Sequence, residues 1–426
     1  MKFGINIFSI AAMVLCTMAT LVAVSCSKGE EFAWNESFAP SKGYSRIDNG
    51  ETRHVMLLYS AGFNNLSYDL SEDIEELCNG DMPGSGRNDN VMLVLTHLKN
   101  DGNNLTPAYL VRLYKRLGGE PVRDTVKVFD FKYGCADADA MKEVLTYIKD
   151  NYPARDYGMV FSSHGTGWLP PFYTLNSGQS YEFAPQRTSS MQHSIGNEDI
   201  KDESGRKVYY EMELCDFAQA LPMHFDYILF DACLMGCIEV AYELKDKCDH
   251  IGFSQTEIMS QGFDYTTLAS HLVTNPSGPD PEAVCREYFA SYNNEQARYP
   301  HATISYIDCA GLESLAEVCK SIFAAHRSGL ASINPNTVQI YYQYNWHWFY
   351  DMKDIVEQCG ATPAEMEAFD AALTRCVRYV DFTDKFLSID IRRDCGFSMY
   401  LPCDGNSTLD RYYKTLLWNK DTGLVY

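Results

Sequence analysis

Basic residues are scarce in this sequence. Its 426 residues include 35 Lys and Arg against 57 Asp and Glu, which gives a formal net charge of −22. Because such a surface repels phosphate backbones, we predict that the protein has no nucleic-acid partner. The sequence also lacks internal repeats and low-complexity tracts, and 46% of its residues are hydrophobic. A chain of this composition can fill a sizeable core, which excludes disordered, collagenous and coiled-coil proteins.

The cysteines lack the spacing of a small disulfide-bonded domain. Two of the fifteen, Cys16 and Cys26, lie near the amino terminus, and the other thirteen are scattered through apolar segments. Because thirteen is an odd number, at least one of them is unpaired. We predict that most of them are small buried hydrophobic residues.

The amino terminus has the composition of an export signal. Lys2 precedes a mostly apolar stretch over residues 5–24, and Cys26 is followed by the polar, charged segment 27–31. This arrangement resembles a bacterial lipoprotein signal, in which the cysteine becomes the lipidated first residue. We predict that residues 1–25 are removed and that a lipid on Cys26 is the only membrane contact, at the outer membrane or cell surface. Secretion without a lipid and an uncleaved anchor are the alternatives.

Strand and helix patterns alternate after a polar tether at residues 26–50. Short apolar runs predict buried strands at 54–59, 91–98, 125–129, 158–162 and 227–230. Amphipathic stretches predict helices at 66–78, 138–149, 213–221 and 238–247. Such alternation is typical of an α/β fold with a mostly parallel sheet that helices cover on both faces.

Two longer segments interrupt this alternation. Residues 169–210 are polar and predict a long loop, which carries four basic residues: Arg187, Lys201, Arg206 and Lys207. From about residue 276 the pattern becomes more helical, with strand-like pieces at 302–307 and 397–401. We therefore predict an α/β domain at 51–275 and a more helical C-terminal α+β domain at 276–426.

Two of the predicted strands end in residues that can carry chemistry. His164 follows the strand at 158–162, and Cys233 follows the strand at 227–230. Ligands of open parallel sheets bind outside the carboxyl ends of the strands, so neighbouring strands would bring both residues to one crevice. An imidazole can take the proton of a thiol and make it a nucleophile, while the backbone N–H groups of Gly165 and Cys233 can stabilise an oxyanion.

Other roles are open for these two residues. Either side chain could serve only packing or a turn. Cys233 and Cys237, together with His164, could also hold a metal ion. Structural zinc sites normally show two closely spaced ligand pairs, so we predict no metal here and a buried Cys237.

Several motifs resemble those of clostripain-like cysteine peptidases, which belong to the fold group of caspases, gingipains and legumains. The matching segments are Phe63-Asn-Asn-Leu-Ser-Tyr68, Ser163-His-Gly-Thr-Gly-Trp168, Asp231-Ala-Cys-Leu-Met-Gly-Cys-Ile-Glu239, Ser254-Gln-Thr-Glu257, Gln261-Gly-Phe-Asp-Tyr265 and Gly396-Phe-Ser-Met-Tyr-Leu-Pro402. The resemblance implies a caspase-like α/β sandwich, a catalytic dyad of Cys233 and His164, and cleavage after basic residues. It also implies that Asp231 lies at the base of the primary specificity pocket, where a carboxylate would pair with Arg or Lys. Asp231 could instead cap a helix or anchor a loop, and Glu257 and Asp264 could add negative charge to the pocket.

We therefore expect a cysteine endopeptidase that cleaves protein or peptide substrates after Arg or Lys through an acyl-enzyme intermediate. Members of this family often cleave themselves between the two catalytic segments, and Arg187 is the predicted site because the segment 185–191 around it contains no acidic residue, whereas the other three basic residues have acidic neighbours. A solvated surface loop is the alternative there. No cofactor is predicted, and the sequence has no signature that decides on a calcium requirement. A catalytically silent surface lipoprotein that binds other molecules, and a cysteine hydrolase or transpeptidase with another acyl substrate, are the alternative functions.

Overall fold

The computed structural model describes residues 52–85, 90–99, 105–116, 118–131, 133–171, 173, 195–201, 204–294, 296–342, 348–402 and 407–426. The predicted signal peptide, the tether, Cys26 and Arg187 lie outside these residues. Among the helices that the structure describes, none is both long enough and apolar enough to cross a bilayer.

The secondary structure alternates as the sequence patterns predict. The strands are β1 (Thr52–Gly62), β2 (Val91–Leu98), β3 (Ala108–Lys115), β4 (Pro121–Phe129), β5 (Ala154–Ser162), β6 (Ile195–Lys201), β7 (Lys207–Met212), β8 (Phe225–Asp231), β9 (Cys248–Phe253), β10 (Thr303–Asp308), β11 (Tyr350–Asp351), β12 (Val377–Phe382), β13 (Lys385–Phe386), β14 (Ile389–Asp390) and β15 (Ser398–Met399). The α-helices are α1 (Ser67–Asn79), α2 (Ala138–Asn151), α3 (Leu214–Ala220), α4 (Ile238–Leu244), α5 (Tyr265–Leu272), α6 (Pro281–Tyr292), α7 (Leu312–Ala325), α8 (Arg327–Leu330), α9 (Met352–Gln358), α10 (Pro363–Cys376), α11 (Ser407–Tyr413) and α12 (Leu417–Thr422).

Nine strands form one sheet in the order β12-β10-β9-β8-β5-β1-β2-β3-β4. The five strands from β9 to β2 in this order are parallel to one another. β3 and β10 run in the opposite direction, whereas β4 and β12, at the two edges, follow the direction of the centre. The predicted α/β fold with a mostly parallel sheet is therefore confirmed.

Helices cover both faces of the sheet because its central strands are apolar on both sides. In β1, Val55, Leu57 and Tyr59 belong to one hydrophobic core, while Met56 and Leu58 belong to the other. Residues of α2, α4 and α7 pack in the first core, and residues of α1, α5 and α6 pack in the second. A strand that is buried on both faces has a continuous run of apolar residues in the sequence, and this run is what predicted β1.

The sheet extends across the boundary that we predicted near residue 275. β10 and β12 come from the predicted C-terminal domain, and β10 pairs with β9 of the preceding region. The two predicted regions thus share one sheet.

The loop predicted at 169–210 contains a hairpin, which corrects the sequence interpretation. β6 lies within this segment and pairs in the antiparallel direction with β7, which extends beyond it to Met212. In β6, Asn197 and Glu198 are both buried, and their burial is made possible by hydrogen bonds rather than by apolar contacts. A strand with such a composition lacks the hydrophobic alternation that identifies strands in a sequence.

Candidate functional site

The two predicted catalytic residues follow neighbouring strands at the same level of the sheet. β5 and β8 are paired in parallel, with Ser162 opposite Asp231. His164 and Cys233 each lie two residues beyond this last pair. Gly165 packs against the backbone of Cys233, because a Cβ placed on Gly165 would lie 2.8 Å from the carbonyl oxygen of Cys233. The structure therefore brings His164, Gly165 and Cys233 into one site.

The imidazole of His164 is oriented by Asn65, which lies in the loop between β1 and α1. Its Nε2 donates a hydrogen bond to Oδ1 of Asn65 over 2.8 Å. Desolvation lowers the pKa of His164 to about 4. The negative charge of Asp199 opposes this shift, whereas the positive charge of Lys99 adds to it. His164 is thus neutral at pH 7, with its proton on Nε2 and its lone pair on Nδ1.

Cys233 lies in a tight turn at the carboxyl end of β8. The next residue, Leu234, has a φ of +61°, a left-handed conformation that side chains other than glycine rarely adopt. The turn is held by backbone hydrogen bonds from Leu234 N–H to the oxygen of Thr256 (2.9 Å) and from Gly236 N–H to that of Ser254 (2.7 Å). Because of this strained turn, Cys233 is partly exposed although Ala232 and Leu234 on either side of it are buried.

The surroundings of Cys233 favour the protonated thiol. Burial, followed by the negative charge of Glu257, raises the pKa of Cys233 to about 12. The N–H of Ile258 donates to its Sγ over 3.3 Å and favours the thiolate, but it does not outweigh these effects. In the resting site, the thiol therefore keeps its proton and the imidazole is neutral.

Asp231 lies directly below this turn, at the end of β8. It is 8% exposed, and its Oδ2 accepts a hydrogen bond from the hydroxyl of Tyr265 over 2.8 Å. Gly262 lies so close that a Cβ there would be 2.2 Å from the same oxygen. Burial raises the pKa of Asp231 to about 6, although hydrogen bonds from Tyr265 and from the backbone of Phe263 oppose the shift. A carboxyl group with this pKa is mostly ionised at pH 7.

The other acidic candidates have different positions. Asp264 caps α5, since its side chain accepts from the N–H of Thr266 over 3.0 Å, and it is exposed. Glu257 lies close enough to Cys233 to raise the pKa of its thiol. Cys237 is fully buried, as predicted, and precedes α4.

Glu198 of β6 is hydrogen-bonded to several distant segments around the catalytic residues. Its two carboxylate oxygens accept from His97 Nδ1 (2.8 Å) and from the backbone N–H groups of Phe63 (3.2 Å), Cys135 and Ala136 (3.3 Å). Next to it, Gly196 N–H donates to the carbonyl oxygen of His164 over 2.9 Å. β6 thus holds both the loop that carries Asn65 and the backbone of His164. The sequence analysis missed this role because neither residue type nor spacing marks it.

His97, Cys135 and Glu198 also form one of two groups of potential metal ligands among the described residues. His97 Nε2 is hydrogen-bonded to the carbonyl oxygen of Thr106 over 3.0 Å, and Glu198 has the bonds given above. Both ring nitrogens of His97 are therefore already engaged by hydrogen bonds within the protein. A metal ion would have to displace these bonds. The other group comprises Glu213, Cys215 and Asp216, which lie at the start of α3, directly after β7.

Comparisons with known proteins bear on the family and the fold of this chain. A sequence model of the clostripain family matches residues 58–193 and 202–423. Clostripain from Hathewaya histolytica is 26% identical over 245 residues, which is 53% of this chain. The aligned region is 43% of that relative, so the match spans less than half of its length.

Two solved structures have similar folds. An inactive zymogen of a C11 protease from Parabacteroides distasonis is 26% identical, with a TM-score of 0.69, over 87% of this chain and 98% of the other. A secreted C11 cysteine protease from Bacteroides thetaiotaomicron, in complex with an irreversible peptide inhibitor, shares the fold with a TM-score of 0.68 at 24% identity, over 87% and 99% of the two chains.

Proposed function

This chain belongs to the clostripain family, and from this premise we propose that it is a cysteine endopeptidase that cleaves after Arg or Lys. One observation carries the proposal. His164 and Cys233 follow paired strands at equal depth, and a buried carboxyl group, Asp231, lies two residues before the cysteine. A nucleophile, a base and a site for a cation thus converge on one end of the sheet.

In the proposed reaction, the thiol of Cys233 attacks the carbonyl carbon of the scissile peptide bond. Its proton passes to His164, whose Nδ1 carries the lone pair because Nε2 donates to Asn65. The N–H groups of Gly165 and Cys233 stabilise the oxyanion, and the imidazolium then gives its proton to the leaving amine. Water attacks the resulting thioester in a second step, with His164 as the base, and the free thiol is regenerated.

The high pKa of the thiol is compatible with this sequence of steps. A thiol with a pKa of about 12 is almost fully protonated at pH 7, and His164, with a pKa of about 4, is almost fully neutral. The proton therefore moves when the substrate carbonyl is in place, rather than beforehand. This arrangement predicts slow reaction with small alkylating agents in the absence of substrate.

Asp231 supplies the proposed specificity. The residue on the amino side of the scissile bond would extend toward this buried carboxylate, with which a guanidinium or ammonium group can form a charge-assisted hydrogen bond. Tyr265 orients the carboxylate through its hydroxyl.

Hydrolysis of fluorogenic peptides tests this function. Wild type should cleave peptides with Arg or Lys before the reporter group and leave matched peptides with citrulline or norleucine intact. Cys233→Ala and His164→Ala should abolish or strongly reduce cleavage, while Cys237→Ala, which changes another cysteine four residues away, should retain it. Tight binding of basic peptides without cleavage by wild type would instead indicate a catalytically silent binding protein, and cleavage of neutral esters or amides alone would indicate another acyl substrate.

We also propose that the protein cleaves itself at Arg187. Lys207, another basic residue of the same region, lies in β7 and is ion-paired with Asp199, so its side chain is already engaged. Purified wild type, Cys233→Ala and Arg187→Ala should be compared by denaturing gel and amino-terminal sequencing. We expect two fragments from wild type only, and an intact, active wild-type chain would contradict self-cleavage.

We also propose that the protein is exported and carries a lipid on Cys26, because the apolar stretch at 5–24 precedes this cysteine. In bacteria that produce the full chain, wild type should partition into the detergent phase and carry a diacylglyceryl group on Cys26. Cys26→Ser should be found in the aqueous phase. The same distribution for both proteins would exclude the lipid anchor.

A further inference from the structure

A second buried carboxyl group lies close to Asp231. Asp73, on α1, is 5% exposed. Tyr265 connects the two regions, because its hydroxyl donates to Asp231 over 2.8 Å while its backbone N–H donates to Glu76, one turn after Asp73, over 3.3 Å. Burial and then repulsion from Asp231 raise the pKa of Asp73 well above its usual range. The helix α1 and the strand β8 therefore bring the carboxyl groups of Asp73 and Asp231 near each other.

No positive charge of the protein compensates this pair. Among the residues that the structure describes, no Lys, Arg or His forms an ion pair with Asp73 or Asp231, and the carboxyl group of Asp73 has no hydrogen bond to any of them. The charges that act on Asp73 are Asp231, Glu76, Asp69 and Glu72, and all are acidic. A buried carboxylate without a positive charge beside it is costly, which is why burial raises the pKa of both groups, and a cation that arrives from outside would lower this cost.

Neighbouring tyrosines provide a further unsatisfied group. The hydroxyl of Tyr288 is buried and has no hydrogen-bond partner among the described residues. Burial and then Tyr292 raise the pKa of Tyr288 most, and Asp231 and Cys233 add to this shift, so this hydroxyl is near both residues. Tyr292, next to it, donates to the carbonyl oxygen of Gly262 over 3.1 Å. A buried hydroxyl without a partner is destabilising, and a ligand with several donors would remove this cost.

We infer that Asp73 is a second carboxylate of the specificity pocket and that, together with Asp231, it selects Arg over Lys. This inference rests on the proposed function. A guanidinium presents five N–H donors in a planar fork and can span two carboxylates, whereas an ammonium group is a single point of charge. The positive charge also removes the repulsion between the two acidic groups. The pocket would therefore hold an arginine side chain by two carboxylates from α1 and β8.

Steady-state kinetics of Asp73→Asn with peptides that differ only in Arg, Lys or citrulline test the inference. Glu72→Gln is the matched control, because Glu72 is the adjacent acidic residue of α1, is exposed, and has the smallest effect on Asp73 of the four acidic groups that act on it. We expect Asp73→Asn to raise the KM for the Arg peptide about tenfold or more, to change kcat little, and to reduce the preference for Arg over Lys. Glu72→Gln should leave all three values unchanged.

A binding measurement makes the result independent of turnover. In the Cys233→Ala background, the affinity for an arginine peptide amide should be measured by calorimetry with and without Asp73→Asn. If Asp73→Asn does not fold, Asp73→Ser is used in its place. Unchanged affinity and an unchanged Arg to Lys ratio would overturn the role of Asp73 while leaving the peptidase function in place. If wild type shows no preference for basic residues at all, the proposed specificity fails, and the role of Asp73 fails with it.

Discussion

Oδ1 of Asn65 lies 2.8 Å from Nε2 of His164, although the two residues are 99 positions apart in the chain. The contact decides which nitrogen of the imidazole carries the proton. Because an amide oxygen only accepts, Nε2 must donate, and Nδ1 is left with the lone pair that a general base requires. Asn65 is therefore a positioning residue for the proposed base.

Asn65→Ala should lower kcat by roughly ten- to a hundredfold, since the imidazole loses the contact that sets its tautomer and orientation. The melting temperature should change little because Asn65 is exposed. Asn65→Asp keeps an acceptor and should restore part of the activity.

The adjacent Asn64 is the control for this prediction. It is buried and donates to the backbone oxygen of Asn197 over 2.6 Å, so Asn64→Ala should lower the melting temperature. We expect any loss of activity in Asn64→Ala to follow its loss of stability. If the activity of Asn65→Ala also fell only in proportion to its stability, the positioning role of Asn65 would be wrong.

The pKa of Asp231 predicts how activity depends on pH. Since this pKa is about 6, the carboxyl group is neutral at lower pH and cannot pair with a basic side chain. The KM for an Arg peptide should therefore rise as the pH falls through about 6, whereas His164, with a pKa of about 4, keeps its lone pair over this range. In Asp231→Asn, the KM should be high at every pH. A wild-type KM that is flat from pH 7 to pH 5 would contradict the assignment.

The same shift predicts a gain in stability for Asp231→Asn. The folded-state pKa of about 6 exceeds that of an unfolded Asp, so the folded state binds more protons between about pH 4 and pH 6 and its stability falls as the pH rises through this window. At pH 7, Asp231→Asn should be more stable than wild type by on the order of 3 kcal/mol, and at pH 4 the difference should vanish.

Asp226 is a control for this pair of effects. Burial and its acidic neighbours Asp156 and Asp249 raise its pKa to about 6 as well, but it lies at the other end of β8. Asp226→Asn should change stability in the same direction without changing the KM. An altered KM in that variant would show that the pH effect is not local to the pocket.

The close packing of Gly165 predicts a specific defect. In Gly165→Ala, the added methyl group would lie 2.8 Å from the carbonyl oxygen of Cys233 and 3.0 Å from Sδ of Met235. Because the backbone of Cys233 must then shift, we expect kcat to fall more than KM changes, together with a lower melting temperature.

Gly205→Ala provides the comparison in the hairpin between β6 and β7. Gly205 has open space around it but a φ of +79°, so an alanine there is strained without a clash. It should cost on the order of 1 kcal/mol of stability and leave kcat unchanged. Equal activity of the two variants would show that the contact between Gly165 and Cys233 is unimportant for catalysis.

Glu198 should be essential for stability as well as for the site. In Glu198→Gln, an amide NH2 group would face backbone N–H groups that now donate to a carboxylate, and the carboxylate that is hydrogen-bonded to His97 would be lost. Because buried donors would be left without acceptors, we expect a loss of about 3 kcal/mol in the free energy of unfolding, measured with urea, and a lower kcat.

Glu211→Gln is the control, because Glu211 accepts from Asn197 over 3.3 Å and a glutamine oxygen can do the same. This variant should unfold like wild type. Wild-type stability of Glu198→Gln would contradict the view that the buried pair holds β6.

Local patterns were sufficient to predict much of the sheet. The central strands are apolar on both faces, so β1, β2, β5 and β8 read as short continuous runs, and α2 has a single apolar stripe. β6 was not predicted because the burial of Asn197 and Glu198 depends on hydrogen bonds with distant segments, and β7, which pairs with it, was not predicted either. β3 and β9 were also missed: β9 alternates polar and apolar residues only in part, and β3 contains the buried Arg112.

For the site, the sequence by itself determined the pair of His164 and Cys233, because parallel strands end at a common edge and both residues directly follow apolar runs. It also placed Asp231 two residues before the cysteine. Only the tertiary structure decided that Asn65 orients His164, that Glu198 joins His97 across 101 positions of the chain, and that Asp73 lies near Asp231. Contacts between single polar side chains on distant segments leave no periodic pattern in a sequence, since they depend on how the helices and loops pack around the sheet.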